Sequence, residues 1–440
     1  MIENVHAFDV MNRLEYFTSK LNWAYTIIHD YEFKVDGRMH AGKFSRESNL
    51  SFAEMCLLIL RGSKRSLQAA IYTFLHESKS QLDQYSKQAF SQRRQFIKPE
   101  AFLMLFRGIT DDFYTNAVII PKIFRNMNIF AIDGTTYNLP NTPELLEIFG
   151  AQISQGEPQV QAKGSCLYDV LNNLMIDVKM LPIQTAERDI AIEHLNYLHS
   201  LKPDGNVVLL DRGYPSIDII HHFDENKLFY VMRCNKNEFF SEIRKVSEAD
   251  KALEVEKISK KTGEKICAKF RVVQFPLDNG KTETLITNVL DSSFTVEDFK
   301  YLYHLRWGIE SKYDELKNKL NIEAFSGNTP VSVMQDFYAT MFLTNLVAYA
   351  EMDCEEELAL INSTNEKTYE YRINTTMAIA SVKDSFIELA MEQNPLKKKK
   401  ALNRLKKRLL VNIIPIRKGR SYLRHRKHHA SKFPPNRTVT

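Results

Sequence analysis

The strongest constraint on this fold is an order of apolar segments between Asn128 and Arg233. Asn128–Ile132 reads as a short strand ending in Asp133-Gly134-Thr135-Thr136. Ala162–Val170 and Asn172–Leu181 read as two further strands, close enough to pair as a meander. Thr185–Ser200 is an amphipathic helix with acidic residues early, where they complement the helix dipole. Asn206–Leu210 is a continuous apolar run, as expected of a strand buried on both faces, and it ends in Asp211-Arg212-Gly213-Tyr214. A short helix begins near Pro215, and Lys227–Arg233 is the next strand. Three meander strands, then helix, strand, helix and strand, predict an α/β sheet in which antiparallel pairs continue into parallel ones. Residues 234–292 interrupt this order with a charged, β-rich insertion. Asn279-Gly280 is expected to join Ile266–Phe275 to Glu283–Val289 as a hairpin.

That order resembles the ribonuclease-H-like core. Beyond it, Phe299–Leu320 is predicted as one helix with Leu302, Leu305, Ile309, Leu316 and Leu320 on an apolar stripe. At about 100° per residue, Tyr303, Arg306, Glu310 and Lys317 share a neighbouring face within roughly 60° of arc. A phenol, a carboxylate and two cations on one ridge can bind a divalent ion and phosphates, or simply form a solvated face with an Arg306–Glu310 pair. Asp133 and Asp211, each following an apolar strand, bear on that choice. Taken singly each reads as a turn or cap residue. With Glu310 they make three carboxylates on elements that converge in such a core, and hard divalent cations are the usual remedy for clustered carboxylates. Oxygen ligands and phosphate substrates favour Mg²⁺, and no Cys/His set argues for a softer metal.

Flanking regions read differently. Residues 1–120 are expected to be helical, with Phe52–Leu60 following the cap candidate Ser51, then Ser66–Leu75 and Ser86–Arg94. The last two can form a helix-turn-helix variant that brings Arg93 and Arg94 to a DNA groove, or an ordinary bundle with a basic surface. Pro330–Glu351 continues as buried helix. The net charge is only +5, yet no Asp or Glu follows Glu392 while Lys and Arg recur to the end. This tail, an amphipathic piece and then a coil with Tyr422, His425 and Phe433, points to a polyanionic partner. The partition is therefore 1–120, an N-terminal helical DNA-binding domain; 121–355, the catalytic domain; and 356–440, a C-terminal helical region with the basic tail. Five dispersed cysteines without C-x-x-C spacing and an N-terminus without a signal-peptide pattern fit a reducing cytoplasm.

Tyr303-x₂-Arg306-x₃-Glu310-x₆-Lys317, with IDGTTYNLP around Asp133 and LLDRGYPS around Asp211, resembles the bacterial insertion-sequence DDE transposases of the family called IS-four. The resemblance implies a metal-binding catalytic triad of Asp133, Asp211 and Glu310. It also implies two Mg²⁺ ions, with Mn²⁺ tolerated, and phosphate contacts from Tyr303, Arg306 and Lys317. Arg212, Arg93 and Arg94 are the further DNA-contacting cations. The implied partners are double-stranded DNA, as terminal inverted repeats and as target, and a second copy of the chain in a paired-end complex. The implied activity is cut-and-paste transposition, localised to the cytoplasm and nucleoid. A nuclease or resolvase that cuts without joining, and an inactive DNA-binding descendant, are the alternatives. Some relatives carry a tryptophan in the insertion to support a flipped base. Here the only tryptophans are Trp23 and Trp307, and Trp307 reads as a packing residue beside the ridge.

Overall fold

The structure is a computed structural model that describes residues 16–46, 49–62, 66–78, 84–116, 119–154, 157–202, 204–235, 240–277, 280–364 and 369–417. Its contacts gather into two compact units. The first holds Thr110–Tyr137 and Gln161–Asp314; the second holds the helices up to Ile109, Asn138–Val160 and the chain from Glu315 onward. These boundaries differ from the three-part partition, because helix Pro330–Met352 packs on the terminal helices Tyr16–His29, Phe52–Leu60 and Thr375–Met391. That helix is buried on nearly every side, so it is the core of the second unit.

Nine strands follow one another along the sheet-forming region. They are β1 (Asn128–Asn138), β2 (Ala151–Ser154), β3 (Glu157–Asp169), β4 (Leu174–Pro182), β5 (Asn206–Leu210), β6 (Phe229–Arg233), β7 (Asp250–Ile258), β8 (Lys265–Pro276) and β9 (Thr282–Thr287). β2 pairs antiparallel with the opening residues of β3. Across the first unit the spatial order is β4-β3-β1-β5-β6-β9-β8-β7. β3 and β4 are antiparallel, whereas β1, β5 and β6 run parallel to one another. This is the ribonuclease-H-like arrangement, and the chain is a mixed α/β protein with helices before and after the sheet. The parallel strands read as apolar runs because both faces are covered: every residue of β5 is buried.

Three strands differ from the sequence expectation: β2 has no counterpart in it, β3 opens at Glu157 rather than Ala162, and β1 is longer. β1 does not stop at Ile132 but runs on to Asn138, through Asp133. Its partner β5 stops at Leu210, so β1 overshoots it. Gly164 on β3 makes room for the extension, since a Cβ there would lie 2.4 Å from the Tyr137 ring. The insertion is also more closely joined to the core than the sequence indicates. β9 pairs antiparallel with β6, β8 with β9, and β7 with β8, so the insertion prolongs the core sheet. The tip at residues 278–279 lies outside the described residues, while Gly263 supplies the left-handed turn (φ 77°) between β7 and β8.

In the second unit Ser51 and Glu54 form a reciprocal capping box on Phe52–Leu60, and Ser86 caps Lys87–Arg94. Helix Pro99–Thr115 meets Tyr16–His29 at Gly108, where an added Cβ would fall 1.9 Å from Trp23 Cη2. Gly108→Ala must therefore expel the indole, and we expect a loss of about 1–3 kcal/mol, read as a lower thermal midpoint. An unchanged midpoint would mean that the indole has another place to go. Helix Pro395–Val411 buries Ala401, Leu405 and Leu409 and pairs Arg404 with Glu388 at 2.5 Å. Tyr422, His425 and Phe433 lie outside the described residues. Among the described residues no helix is long and apolar enough to cross a membrane.

Candidate active site

The parallel pairing of β1 with β5 sets the site. Ala131 on β1 stands opposite Leu209 on β5; two residues further along, Asp133 lies on the extension of β1 and Asp211 just past the end of β5. Strand ends of this kind, on a rigid sheet, are where α/β folds present functional groups. Asp133 is held closely: its Oδ1 accepts the Gly134 N–H at 2.8 Å, and its main-chain carbonyl accepts the Tyr313 hydroxyl at 2.6 Å.

The single helix expected over Phe299–Leu320 is in fact three pieces. Val296–Leu305, opened by a Thr295–Asp298 capping box, is followed by Trp307–Asp314 and then by a π-helical turn, Glu315–Lys319. The break falls at Arg306, where the Arg306 N–H bonds Tyr303 O and the Ile309 N–H bonds Arg306 O, both at i→i+3 spacing. Such tightening re-aims whatever follows it. Gly308, just past the break, lies against Tyr168 and Val170; a Cβ there would make only ordinary contact, 3.5 Å from the Tyr168 ring.

Despite the break, three of the four ridge residues meet the two aspartates. The Tyr303 hydroxyl donates to Asp211 Oδ1 at 3.2 Å. Arg306 Nη2 donates to Glu310 Oε1 at 2.8 Å, and its Nη1 lies 3.5 Å from Asp133 Oδ2. Arg306 is thus a buried cation, 2% exposed, between two carboxylates, with its guanidinium near the Tyr303 and Trp307 rings. Its Nε and Nη1 have no hydrogen-bond partner although both are buried. Lys317 does not belong to this cluster's unit; it stands in the π-helical turn of the second unit. Arg212 follows Asp211 directly and is exposed.

Electrostatically the site is under-compensated. Burial pushes the Asp133 carboxyl up from 3.8 to about 6. The Gly134 N–H and Arg306 pull it down, while the charges of Asp211 and Glu310 push it up further. Burial likewise raises the Tyr303 phenol, which keeps its proton and stays a donor. Among the described residues no group of three His, Cys, Asp or Glu side chains is gathered closely enough to hold a metal ion, and a guanidinium stands between Asp133 and Glu310. The donor set still fits hard divalent cations. It consists of carboxylate oxygens alone, the charges of Asp211 and Glu310 raise the proton affinity of Asp133, and the buried Arg306 has Nε and Nη1 without a hydrogen-bond partner.

One sequence reading needs correction. Arg94 does not face outward: it is 1% exposed, paired with Asp336 at 2.9 Å and bonded through Nε to Gln335 at 2.8 Å, so its charge is spent inside the second unit. Only Arg93, at the next position, remains partly open, its guanidinium 4.4 Å from the centre of the Phe44 ring. Trp307 is half exposed, with the Arg306 guanidinium of the ridge 5.3 Å from the centre of its ring.

The sequence reading also missed residues. Arg233, at the end of β6, lies 3.9 Å from Asp211 Oδ1 and bonds Glu283 on β9 at 2.7 Å. The signal was available: Arg233 ends an apolar strand as Asp211 nearly does. Glu187 pairs with Lys163 at 3.0 Å and lies against Gly134, where a Cβ would sit 3.2 Å from its Oε1. Nothing in its local sequence distinguishes it from an ordinary first-turn acid.

A ribonuclease-H-like sheet thus carries Asp133 and Asp211 near the ends of adjacent strands, with a helical Glu310 tied to Asp133 through Arg306. The family model described as the transposase DDE domain matches residues 125–346, just over half of the 440 residues, and the chain belongs to that family. The insertion-sequence resemblance carried by Tyr303, Arg306, Glu310 and Lys317 agrees with it. The family is one of transposases, whose DDE domains carry out phosphoryl transfer and generally use divalent metal ions. The transposase InsG for insertion sequence element IS4 of Escherichia coli (strain K12) is 25% identical over 284 residues. That match covers 61% of this chain and 62% of the relative, so the chain spans less than two thirds of it. A cryo-EM structure of the piggyBac transposase synaptic complex with hairpin DNA aligns over 92% of this chain and 86% of that one. At a TM-score of 0.43 and 12% identity, that likeness is too loose to bear on the chemistry.

Proposed function

We propose that this protein cuts DNA at the ends of a mobile element and joins the freed 3′-OH ends to target DNA. The observation that supports the reading is Arg306, which pairs with both Asp133 and Glu310, while Tyr303 from the same segment bonds Asp211. Asp133, Asp211 and Glu310 would hold two Mg²⁺ ions, with Mn²⁺ tolerated. Ions so bound activate the attacking water or 3′-OH and neutralise charge on the leaving oxygen.

The remaining work falls to this chain's own side chains. Asp133, once ionised, would accept positive charge that its present neighbours only partly supply. Tyr303, kept protonated, can donate to a phosphate oxygen in place of Asp211. Arg306 Nε, buried without a hydrogen-bond partner, would be its donor for the same phosphate without releasing Glu310 or Asp133. Lys317, Arg212 and Arg93 would act as point charges on the DNA backbone. The lysine-rich helix Pro395–Val411 would add salt-dependent, sequence-indifferent attraction. Two copies working on paired ends complete the proposal.

The test is incubation of the protein and Mg²⁺ with DNA carrying the inverted repeats that flank its own gene. Cuts at the repeat boundaries followed by joined products are expected. Nicks without joined products would replace the reading with that of a nuclease, and binding without cleavage would replace it with that of an inactive descendant.

A further inference from the structure

Behind Asp133 three buried polar side chains run across the sheet core. His194, on helix Glu187–Leu201, has Nδ1 2.9 Å from Asp177 Oδ2 on β4 and Nε2 3.0 Å from Ser165 Oγ on β3. His194 and Asp177 are wholly buried and Ser165 is 5% exposed. Lys179 lies 3.5 Å from the Asp177 carboxylate. The order of groups is that of a hydrolytic Ser-His-Asp set. Ser165, however, has almost no exposed surface at which a substrate could reach it, and its Oγ stands 3.3 Å from the main-chain carbonyl of Asp133. Ser165 Oγ is therefore shared between the imidazole and that carbonyl, which also accepts from Tyr313.

Polar chains inside a sheet are costly unless each member is satisfied, and an aliphatic set would fill the same volume more cheaply. What this chain provides is a fixed contact to the backbone of Asp133. Asp133 is short of other restraint on its β5 side. It lies where β1 has outrun β5, so no strand pairing on that side holds its main chain.

We propose that Ser165, His194 and Asp177 are positioning residues for Asp133, setting its main chain and so the aim of its carboxylate. This rests on the transposase reading above. A displacement of a fraction of an ångström at a reacting group lowers turnover without touching remote substrate contacts. Ser165→Ala in the full chain should therefore cut saturating DNA about tenfold more slowly, with DNA affinity close to wild type, while the thermal midpoint falls because His194 Nε2 is left buried without its partner. Ser165→Thr, which keeps the hydroxyl, should recover most of the rate. Should Ser165→Ala fail to fold, Asp177→Asn, which keeps the volume, is expected to give the same split between rate and affinity. Wild-type cutting by Ser165→Ala, equal slowing by Ala and Thr, or a rate loss matched by weaker DNA binding would each overturn the positioning role. Glu310→Gln run alongside separates the two readings. If it cuts like wild type, the active-site reading itself fails. If it is dead while Ser165→Ala is fast, only the positioning role is lost.

Discussion

Asp133→Asn should cut DNA on the order of a thousandfold more slowly than wild type, or not at all, while binding it as well and melting at a higher temperature in metal-free buffer at pH 8. The two halves have one cause. The Asp133 carboxyl titrates near 6 in the folded chain against an ordinary 3.8. Between those values the folded protein binds more protons than the unfolded one, so stability falls as pH rises through that window and stays reduced above it. A shift of about two units corresponds to about 3 kcal/mol as an upper figure. Some of this is screened, because the side chain is 22% exposed. Asparagine cannot ionise and escapes the cost, which is the familiar opposition between stability and activity at a strained site. The advantage of the variant should vanish near pH 4, where both side chains are neutral. Thermal melts at the two pH values and a cleavage time course check it. A variant that cuts normally, or that melts lower at pH 8, would remove Asp133 from the role given to it.

Arg306→Gln should destabilise the metal-free protein by about 3 kcal/mol, because it leaves Asp133 and Glu310 facing each other without the cation between them. Added Mg²⁺ should raise the midpoint of this variant more than that of wild type, since the ion then supplies the missing charge without competing with a guanidinium. Arg306→Lys should recover only part of the loss, a compact ammonium being unable to reach both carboxylates. Melting curves with and without Mg²⁺ decide the matter. An Arg306→Gln protein indistinguishable from wild type in metal-free buffer would mean the ion pairs contribute nothing.

Much of this site was legible in the sequence because its information is local. The β5 run from Asn206 to Leu210 is apolar throughout and is a strand over those residues. The spacing of Tyr303, Arg306 and Glu310 survives in their shared neighbourhood. What escaped depends on partners distant along the chain. Arg93 and Arg94 are equivalent by sequence, and only Asp336 and Gln335 decide which one turns inward. The break at Arg306 carries no proline, so the sequence reads through it as one helix. The extension of β1 beyond Ile132 needed the space left by Gly164, a residue of a different strand. Ser165, His194 and Asp177 each look like ordinary strand or helix residues until the fold brings them together.

The union of β9 with β6 has a practical side. Residues 234–292 are no appendage that can be clipped away: removal would strip β6 of its neighbour and leave its amide and carbonyl groups as an open border, inviting another chain to dock there. Length variation is tolerable at the hairpin tips, near Gly263 and Gly280, where the backbone already turns through left-handed angles. A trimmed version of this protein should be cut there, and nowhere between.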